Sequence, residues 1–307
     1  MKLAIIGAGH MGRYHAEKLA RCEGVTLVAV VDADLSRAAA VASLHNCKSF
    51  TDYREILGIA DAAVVAVPTD RHHEVAAACL EKGLHLLIEK PIATTVEEAD
   101  ELIALARKKG LLLQVGHVER YNKAFRALTA RMDRPMFIEA ERLAEFKQRG
   151  AEVNVVLDLM IHDLDLAVAL ARSEVQAVSA CGFRVLTNDI DIANARIEFA
   201  NGCVANLSAS RVSQSAVRKL RVFQQGVYVS ADLQAGSLRY VRQSDGGIEP
   251  AEERHEGGDA LAAQAESFVL AVSKKHPVQV TGEEGRRALK LALDVGRLVR
   301  ERLRYFE

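Results

Sequence analysis

Three stretches of this sequence carry residues whose types and spacing suit chemistry. The first is Asn154, Asp158, His162 and Asp165. On a helix over residues 154–171, at about 100° per residue, these four fall in one narrow stripe. Val155, Val156, Leu157, Leu159, Met160, Ile161 and Leu164 cover the rest, and Asp163 points the opposite way. A helix that is apolar almost all round is buried, and burying carboxylates and an imidazole without partners would cost several kcal/mol. The stripe therefore needs a ligand or a network of its own. One reading is a self-satisfied hydrogen-bond network. A metal site is the second, because Asp158 and His162 can share one ion, although no third and fourth ligand follows at suitable spacing. Proton transfer is the third: a histidine whose tautomer is fixed by a carboxylate one turn earlier suits acid-base chemistry near neutral pH.

The second stretch is Gly7, Gly9 and Gly12, with His10 and Met11 between the last two. An apolar run of strand length breaks into this Gly-x-Gly-x-x-Gly turn, which leads straight into helix-forming residues up to Cys22. Gly7 permits the tight turn, Gly9 leaves room for a pyrophosphate against bare backbone, and Gly12 allows close helix–strand packing with the helix N–H groups aimed at phosphate. The context is the required one, because a second strand, residues 25–31, ends at Asp32, 20 positions after Gly12. A carboxylate there accepts hydrogen bonds from an adenosine ribose and repels a 2′-phosphate, so NAD is expected over NADP. Ala33 and Asp34 offer no cation for that phosphate, and Arg37 is the one basic residue nearby. Asp32 as a plain helix N-cap is the alternative.

The third stretch is Glu89-Lys90-Pro91 at the end of an apolar strand, residues 86–88. Ligands of open α/β sheets sit beyond the carboxyl ends of the strands, which puts Lys90 near the cofactor. The proline restricts the backbone of Lys90 and admits a cis bond.

The elements that must position these residues alternate in a regular way. Buried strands at 62–67, 86–88 and 111–115 alternate with helices at 35–44, 51–57 (capped by Thr51), 72–82 and 95–110, the last opened by a Thr95/Glu98 capping box. His72 and His73 read as first-turn surface residues. This predicts a doubly wound parallel sheet of the Rossmann type over residues 1–118. Residues 119–307 form an α+β domain with a largely antiparallel open sheet, whose strands are 176–185, 193–199, 204–211, 218–224, 228–233 and 238–242. Residues 244–258, with an Asp245-Gly246-Gly247 turn, read as a polar surface loop. Helices over about 260–274 and 285–302 complete the second domain. From 199 to 230 no acidic residue occurs among Arg211, Arg218, Lys219 and Arg221. That stretch suits an anionic substrate, or one face of a sheet balanced by a partner subunit.

Bulk properties exclude other classes. The 307 residues suggest two domains, half of the chain is hydrophobic, and a net charge of -1 makes no electrostatic case for nucleic acid or a membrane surface. Five cysteines in no close pairs indicate reduced thiols rather than a zinc or disulfide framework. With a strand starting at residue 2 and no membrane-length apolar run, a cytoplasmic protein is expected.

The glycine turn, Asp32 and Glu89-Lys90-Pro91 together resemble the Gfo/Idh/MocA family of oxidoreductases, and the resemblance covers nearly the whole chain. It implies that Lys90 lies beside a substrate hydroxyl, with Glu89 at the cofactor. Gly116-His117-Val118-Glu119-Arg120-Tyr121-Asn122 resembles the family's crossover segment, in which an Arg and an aromatic residue border the nicotinamide. Arg120 is thereby expected to contact the cofactor and Tyr121 the substrate. Asp158 and His162 reproduce the family's Asp, three residues, His spacing, which favours acid-base chemistry, with Asn154 and Asp165 toward substrate and no metal. The implied reaction moves hydride from a sugar carbinol to NAD. His162 takes the hydroxyl proton, Lys90 stabilises the alkoxide across the nicotinamide, and Asp158 orients His162; a variant makes Lys90 the base. Glu141-Arg142 and the 155–165 segment resemble members that oxidise the 3-hydroxyl of UDP-N-acetylglucosamine. Inositol or another polyol, NAD-dependent glycoside hydrolysis and a non-catalytic NAD-binding regulator are the alternatives. A homodimer or homotetramer built on the open sheet is also implied.

Overall fold

A computed structural model describes residues 1–146, 153–244, 246–255 and 257–306. The chain forms two compact units, Met1–Val118 with Asp259–Leu289, and Glu119–Gly258 with Lys290–Glu307.

In the first unit, β1 (Lys2–Ile6), β2 (Thr26–Val31), β3 (Lys48–Phe50), β4 (Ala62–Val65), β5 (His85–Glu89) and β6 (Leu113–Gly116) pair in the order β3-β2-β1-β4-β5-β6. All five pairings are parallel. The central strands are apolar on both faces because helices cover both, as a parallel sheet requires. The helices are α1 (His10–Leu19), α2 (Leu35–Leu44), α3 (His72–Glu81) and α4 (Val96–Lys109). The predicted Thr95/Glu98 capping box opens α4, and Gly110 ends it in the left-handed region at φ 65°. Between β3 and β4 the expected helix is a single 3-10 turn, Tyr53–Ile56, capped by Asp52 rather than Thr51.

Two elements of this unit were not foreseen. β3 has three residues, too few to show a hydrophobic period. The helix expected to belong to the second domain, α7 (Ala260–Val272), packs here instead: Ala265, Phe268 and Val269 share one buried cluster with Leu3, Ile5, Ala16 and Leu87. Its apolar face needed cover, and sequence position alone could not say which sheet supplies it.

The second unit is built on an eight-stranded sheet in the order β14-β13-β12-β11-β7-β10-β9-β8. Its strands are β7 (Phe137–Leu143), β8 (Val175–Phe183), β9 (Ile192–Phe199), β10 (Val204–Ser210), β11 (Val217–Gln224), β12 (Val227–Asp232), β13 (Ser237–Ser244) and β14 (Gly247–Arg254). β7 and β10 run parallel, and the other neighbours run antiparallel. Strict alternation in β9 buries Ala193, Ala195, Ile197 and Phe199 and leaves Asn194, Arg196 and Glu198 exposed, so one face of the sheet is core. β14 corrects the expected surface loop: a polar segment with an exposed edge carries no apolar alternation to announce a strand. Asp245, in the predicted turn, lies outside the described residues. The core face is covered by α6 (Ile161–Ala171) and the turn before it, with α5 (Lys123–Thr129) against β12 and β13. The last helix, α8 (Gly282–Leu303), is divided between the units after Leu289.

Candidate functional site

In the first unit the strand register brings Ile6, Val31, Val65, Ile88 and Val115 to one carboxyl edge. Strand order reverses beside β1, and this is the crevice where open α/β sheets bind ligands. Gly7, Asp32 and Lys90 all follow directly from strands ending on that edge. Gly7 has φ 100°, and a Cβ there would lie 2.4 Å from the Ala66 carbonyl oxygen. A Cβ on Gly12 would lie 1.7 Å from the Gly7 oxygen, whereas one on Gly9 would meet nothing within 4 Å. The three glycines thus have the expected separate reasons. Gly9 is also the N-cap of α1, whose first turn carries no acidic residue and no side-chain cap. Its free N–H groups and positive dipole end fit a pyrophosphate.

Asp32 ties this turn to β2. Its Oδ2 accepts the Ala8 N–H at 2.7 Å and its Oδ1 accepts the Asp34 N–H at 3.0 Å. The helix cap is Asp34, whose Oδ1 accepts from Ser36 and Arg37. Arg37, the basic residue considered for a 2′-phosphate, lies 3.3 Å from the Asp34 carboxylate.

The Lys90–Pro91 peptide is cis. Glu89, expected at the cofactor, is 7% exposed; its Oε1 lies 2.6 Å from His15 Nε2, and its Oε2 accepts the Lys90 N–H at 3.2 Å. His72 corrects the surface reading, because it is buried at 1% exposure with its ring nitrogens 2.8 Å from the Pro91 oxygen and 2.9 Å from the Val67 oxygen. Position on the first helical turn gave no sign of this, since the carbonyls it meets come from two other segments. His73 is the partly exposed one, 2.9 Å from Glu101.

In the second unit the predicted 154–171 helix opens as a π-helical turn, Val156–Met160, and continues as α6. Each residue of the wider turn advances by less than in an α-helix, so the stripe drawn at α-helical spacing is not continuous. The residues of that stripe divide. Asn154, expected to touch substrate, uses its Oδ1 to accept the Val156 and Leu157 N–H groups at 3.1 Å, capping the helix start. Asp165, expected likewise, accepts a bidentate pair from Arg120 at 2.7 and 3.0 Å. For these two, side chains and backbone of the same chain supply the partners that burial demands. Asp158 and His162 are half-buried. Among the described residues no group of three or more His, Cys, Asp or Glu side chains could hold a metal ion.

Asp163, on the other side of the helix, is part of a buried ionic cluster that the residue pattern did not announce. Arg142 donates to Asp163 through Nε and Nη2, both at 2.9 Å, and to Glu119 through Nη1 at 2.9 Å. Burial pushes the Asp163 carboxyl up against the opposing pull of Arg142, and the two carboxylates hold the Arg142 guanidinium charged despite its burial. The available signal was strand alternation: β7 buries Ile138 and Ala140, which makes Arg142 the third inward residue. Glu119 lies in a 3-10 turn, Val118–Tyr121, so this cluster anchors the segment that carries Arg120 and Tyr121. The Tyr121 ring is 2% exposed and belongs to the packed interior.

A second buried pair holds the entry to the helix. Arg211 donates to Asp191 at 2.7 Å and to the Val153 carbonyl, while Asp191 Oδ2 accepts the N–H groups of Val185, Leu186 and Thr187. Two further cations of the acid-free stretch are balanced within the chain: Arg218 lies 3.6 Å from Glu119, and Arg221 lies 3.3 Å from Glu139 on the adjacent strand β7.

Residues 1–117 match the oxidoreductase family described as having an NAD-binding Rossmann fold, and residues 124–226 match the Gfo/Idh/MocA C-terminal domain. The chain is 39% identical to a UDP-N-acetylglucosamine 3-dehydrogenase of Acidithiobacillus ferrooxidans over 302 residues, 96% of each chain. The solved structure of that enzyme superposes with a TM-score of 0.92 over 97% of both chains. The NAD(+)-dependent scyllo-inositol 2-dehydrogenase of Bacillus subtilis is 30% identical over 69% of this chain and 68% of its own. A scyllo-inositol dehydrogenase of Lactobacillus casei, solved with NAD(H) and scyllo-inositol, shares the fold at 18% identity, with a TM-score of 0.84 over 98% of this chain and 97% of its own. Matched along nearly its whole length, the chain belongs to the Gfo/Idh/MocA family of oxidoreductases.

Proposed function

We propose that the protein oxidises a secondary hydroxyl of a sugar nucleotide, with the 3-hydroxyl of UDP-N-acetylglucosamine as substrate and NAD as acceptor. The observation that carries this reading is the 39% identity to an enzyme of that activity along 96% of both chains. NAD is favoured over NADP because the Asp32 carboxylate stands at the end of β2 and Arg37 is held by Asp34.

The residues available fit the dinucleotide. The Gly9 backbone, with His10 and Met11, and the N-terminus of α1 would hold the pyrophosphate, and Asp32 the adenosine ribose. When bound, the nicotinamide supplies the hydride acceptor. The chain's own part is proton and charge management. His162 takes the proton of the substrate hydroxyl, and Asp158, four residues earlier, orients the imidazole. The Lys90 ammonium stabilises the negative charge that develops on the substrate oxygen. Arg120, braced by Asp165, lines the cofactor, and Asn154 supports the helix that carries Asp158 and His162. Glu89 acts through the backbone of Lys90.

A turnover screen tests the reading. Purified protein is offered UDP-N-acetylglucosamine, other sugar nucleotides and inositols, each with NAD and NADP, and reduced-nicotinamide absorbance is followed. Formation of NADH with UDP-N-acetylglucosamine at a higher kcat/KM than with any inositol supports it. Preference for an inositol overturns the substrate assignment, and release of free sugar without net NADH identifies a hydrolase.

A further inference from the structure

Two histidines that this chemistry does not use are built into the first unit on either side of Lys90. His15 lies on α1, three residues after Gly12, and is 1% exposed. Its Nε2 is 2.6 Å from Glu89 Oε1, and the other oxygen of that carboxylate accepts the Lys90 N–H at 3.2 Å. Gly116 on β6 leaves room for the carboxylate, since a Cβ there would lie 3.0 Å from Glu89 Oε1. His72 opens α3 and joins the Pro91 carbonyl, at 2.8 Å, to the Val67 carbonyl, at 2.9 Å. Val67 in turn lies in the connection that packs under Gly7.

A neutral imidazole has one N–H, so it donates to one of the two carbonyl oxygens at a time, and the doubly protonated ring donates to both. Burial opposes that charge and draws His72 below its ordinary value, while the two carbonyls and the negative charges of Glu89 and Asp70 favour it. For Glu89, burial alone would raise the carboxyl; the His15 hydrogen bond and the His15 and Lys90 charges hold it below its ordinary range. Burying three ionisable side chains is costly unless each has a partner, and here each is joined to a residue next to Lys90 or to the segment that supports it.

A lysine side chain is a flexible four-carbon stem, so the aim of its ammonium depends on how firmly its backbone is held. We propose that His15 and His72 are positioning residues for Lys90: they fix Glu89 to the cofactor helix α1 and Pro91 to the β4–α3 connection. The elements that form the dinucleotide site thereby also direct the lysine. This rests on the reading of Lys90 as a catalytic residue.

The test has one arm that needs no turnover. Competitive acylation of the full-length protein across pH, read by peptide mass spectrometry, reports the reactivity of the Lys90 amine, with Lys109 at the end of α4 as control. His15→Ala and His72→Ala are expected to shift the Lys90 profile and leave that of Lys109 unchanged. A Lys90 profile identical to the wild type in both variants overturns the proposal. Where an alanine variant does not fold, His15→Gln or His72→Gln, which keep an N–H donor, are expected to give a smaller shift of the same sign. In the second arm each His→Ala variant lowers kcat by about 10- to 100-fold with cofactor affinity unchanged. Adding the histidine change to Lys90→Met produces no further loss. Equal losses with and without the Lys90→Met change overturn the positioning role. If Lys90→Met itself retains full turnover, the catalytic reading of Lys90 falls, while the acylation arm still decides whether the histidines hold it.

Discussion

The Asp32 carboxylate accepts the Ala8 N–H at 2.7 Å, so the end of β2 and the glycine turn after β1 form one hydrogen-bonded piece. Asp32→Asn keeps an acceptor for Ala8 and removes the charge. It is expected to lower kcat/KM for NAD by about 10- to 100-fold, the value of a hydrogen bond to a charged group, and to narrow the preference over NADP. Asp32→Ala is expected to lose cofactor affinity further because the turn loses its tie as well. Initial rates with both cofactors check this.

Gly12→Ala and Gly9→Ala should separate folding from binding. The Gly12 methyl would lie 1.7 Å from a backbone oxygen, which cannot move aside as a side chain would. A loss of at least about 2 kcal/mol is expected on urea unfolding, together with loss of NADH binding. The Gly9 methyl meets open space, so stability should stay within about 0.5 kcal/mol of the wild type. NADH fluorescence titration should nonetheless show weak binding, because the methyl would occupy the place proposed for the pyrophosphate.

Removing Arg142 should be severe. Arg142→Ala would leave Asp163 and Glu119, 3% and 6% exposed, as buried carboxylates without their guanidinium. A destabilisation of about 3–5 kcal/mol is expected, measured by denaturant titration. Arg142→Met, of similar length, should cost nearly as much, which would show that charge rather than volume is responsible.

Asp191 makes part of the stability depend on acid. Burial alone would raise its carboxyl, but the N–H groups of Thr187, Val185 and Leu186 and the Arg211 side chain hold it far below the ordinary range. A carboxyl depressed in the folded state contributes stability above its unfolded pKa, about 3.9, and that contribution drains away as pH falls toward the folded value. The wild type should therefore lose melting temperature steadily below about pH 4. Asp191→Asn should melt lower at neutral pH and show a flatter acid dependence.

The division of labour between His162 and Lys90 is open to pH–rate measurement. His162→Asn is expected to remove the acidic limb of the profile along with most of the turnover. Lys90→Met should lower kcat by about 100-fold or more and leave that limb in place. The reverse pattern makes Lys90 the base. A fall of only a few fold in both variants removes both residues from the chemistry.

Much of this protein is determined by local sequence. The glycine turn, the continuous apolar strands, the Thr95/Glu98 box and Asp32 at the end of β2 express short-range requirements of backbone space, capping and hydrophobic period. Each is met by residues within a few positions. The Rossmann unit and the open sheet were legible for that reason. What the tertiary structure decided concerns side chains whose partners are far along the chain. His72 resembles a surface residue until Pro91 and Val67 are brought to its ring. Asp165 resembles a ligand group until Arg120, 45 positions earlier, closes on it. Asp163 resembles the idle side of a helix until β7 presents Arg142. α7 belongs to the first unit because its apolar face meets α1 in a core shared with β1, a choice made by packing, which periodicity cannot express. A buried charge must find its counter-charge wherever the fold brings one, and linear spacing does not record that distance.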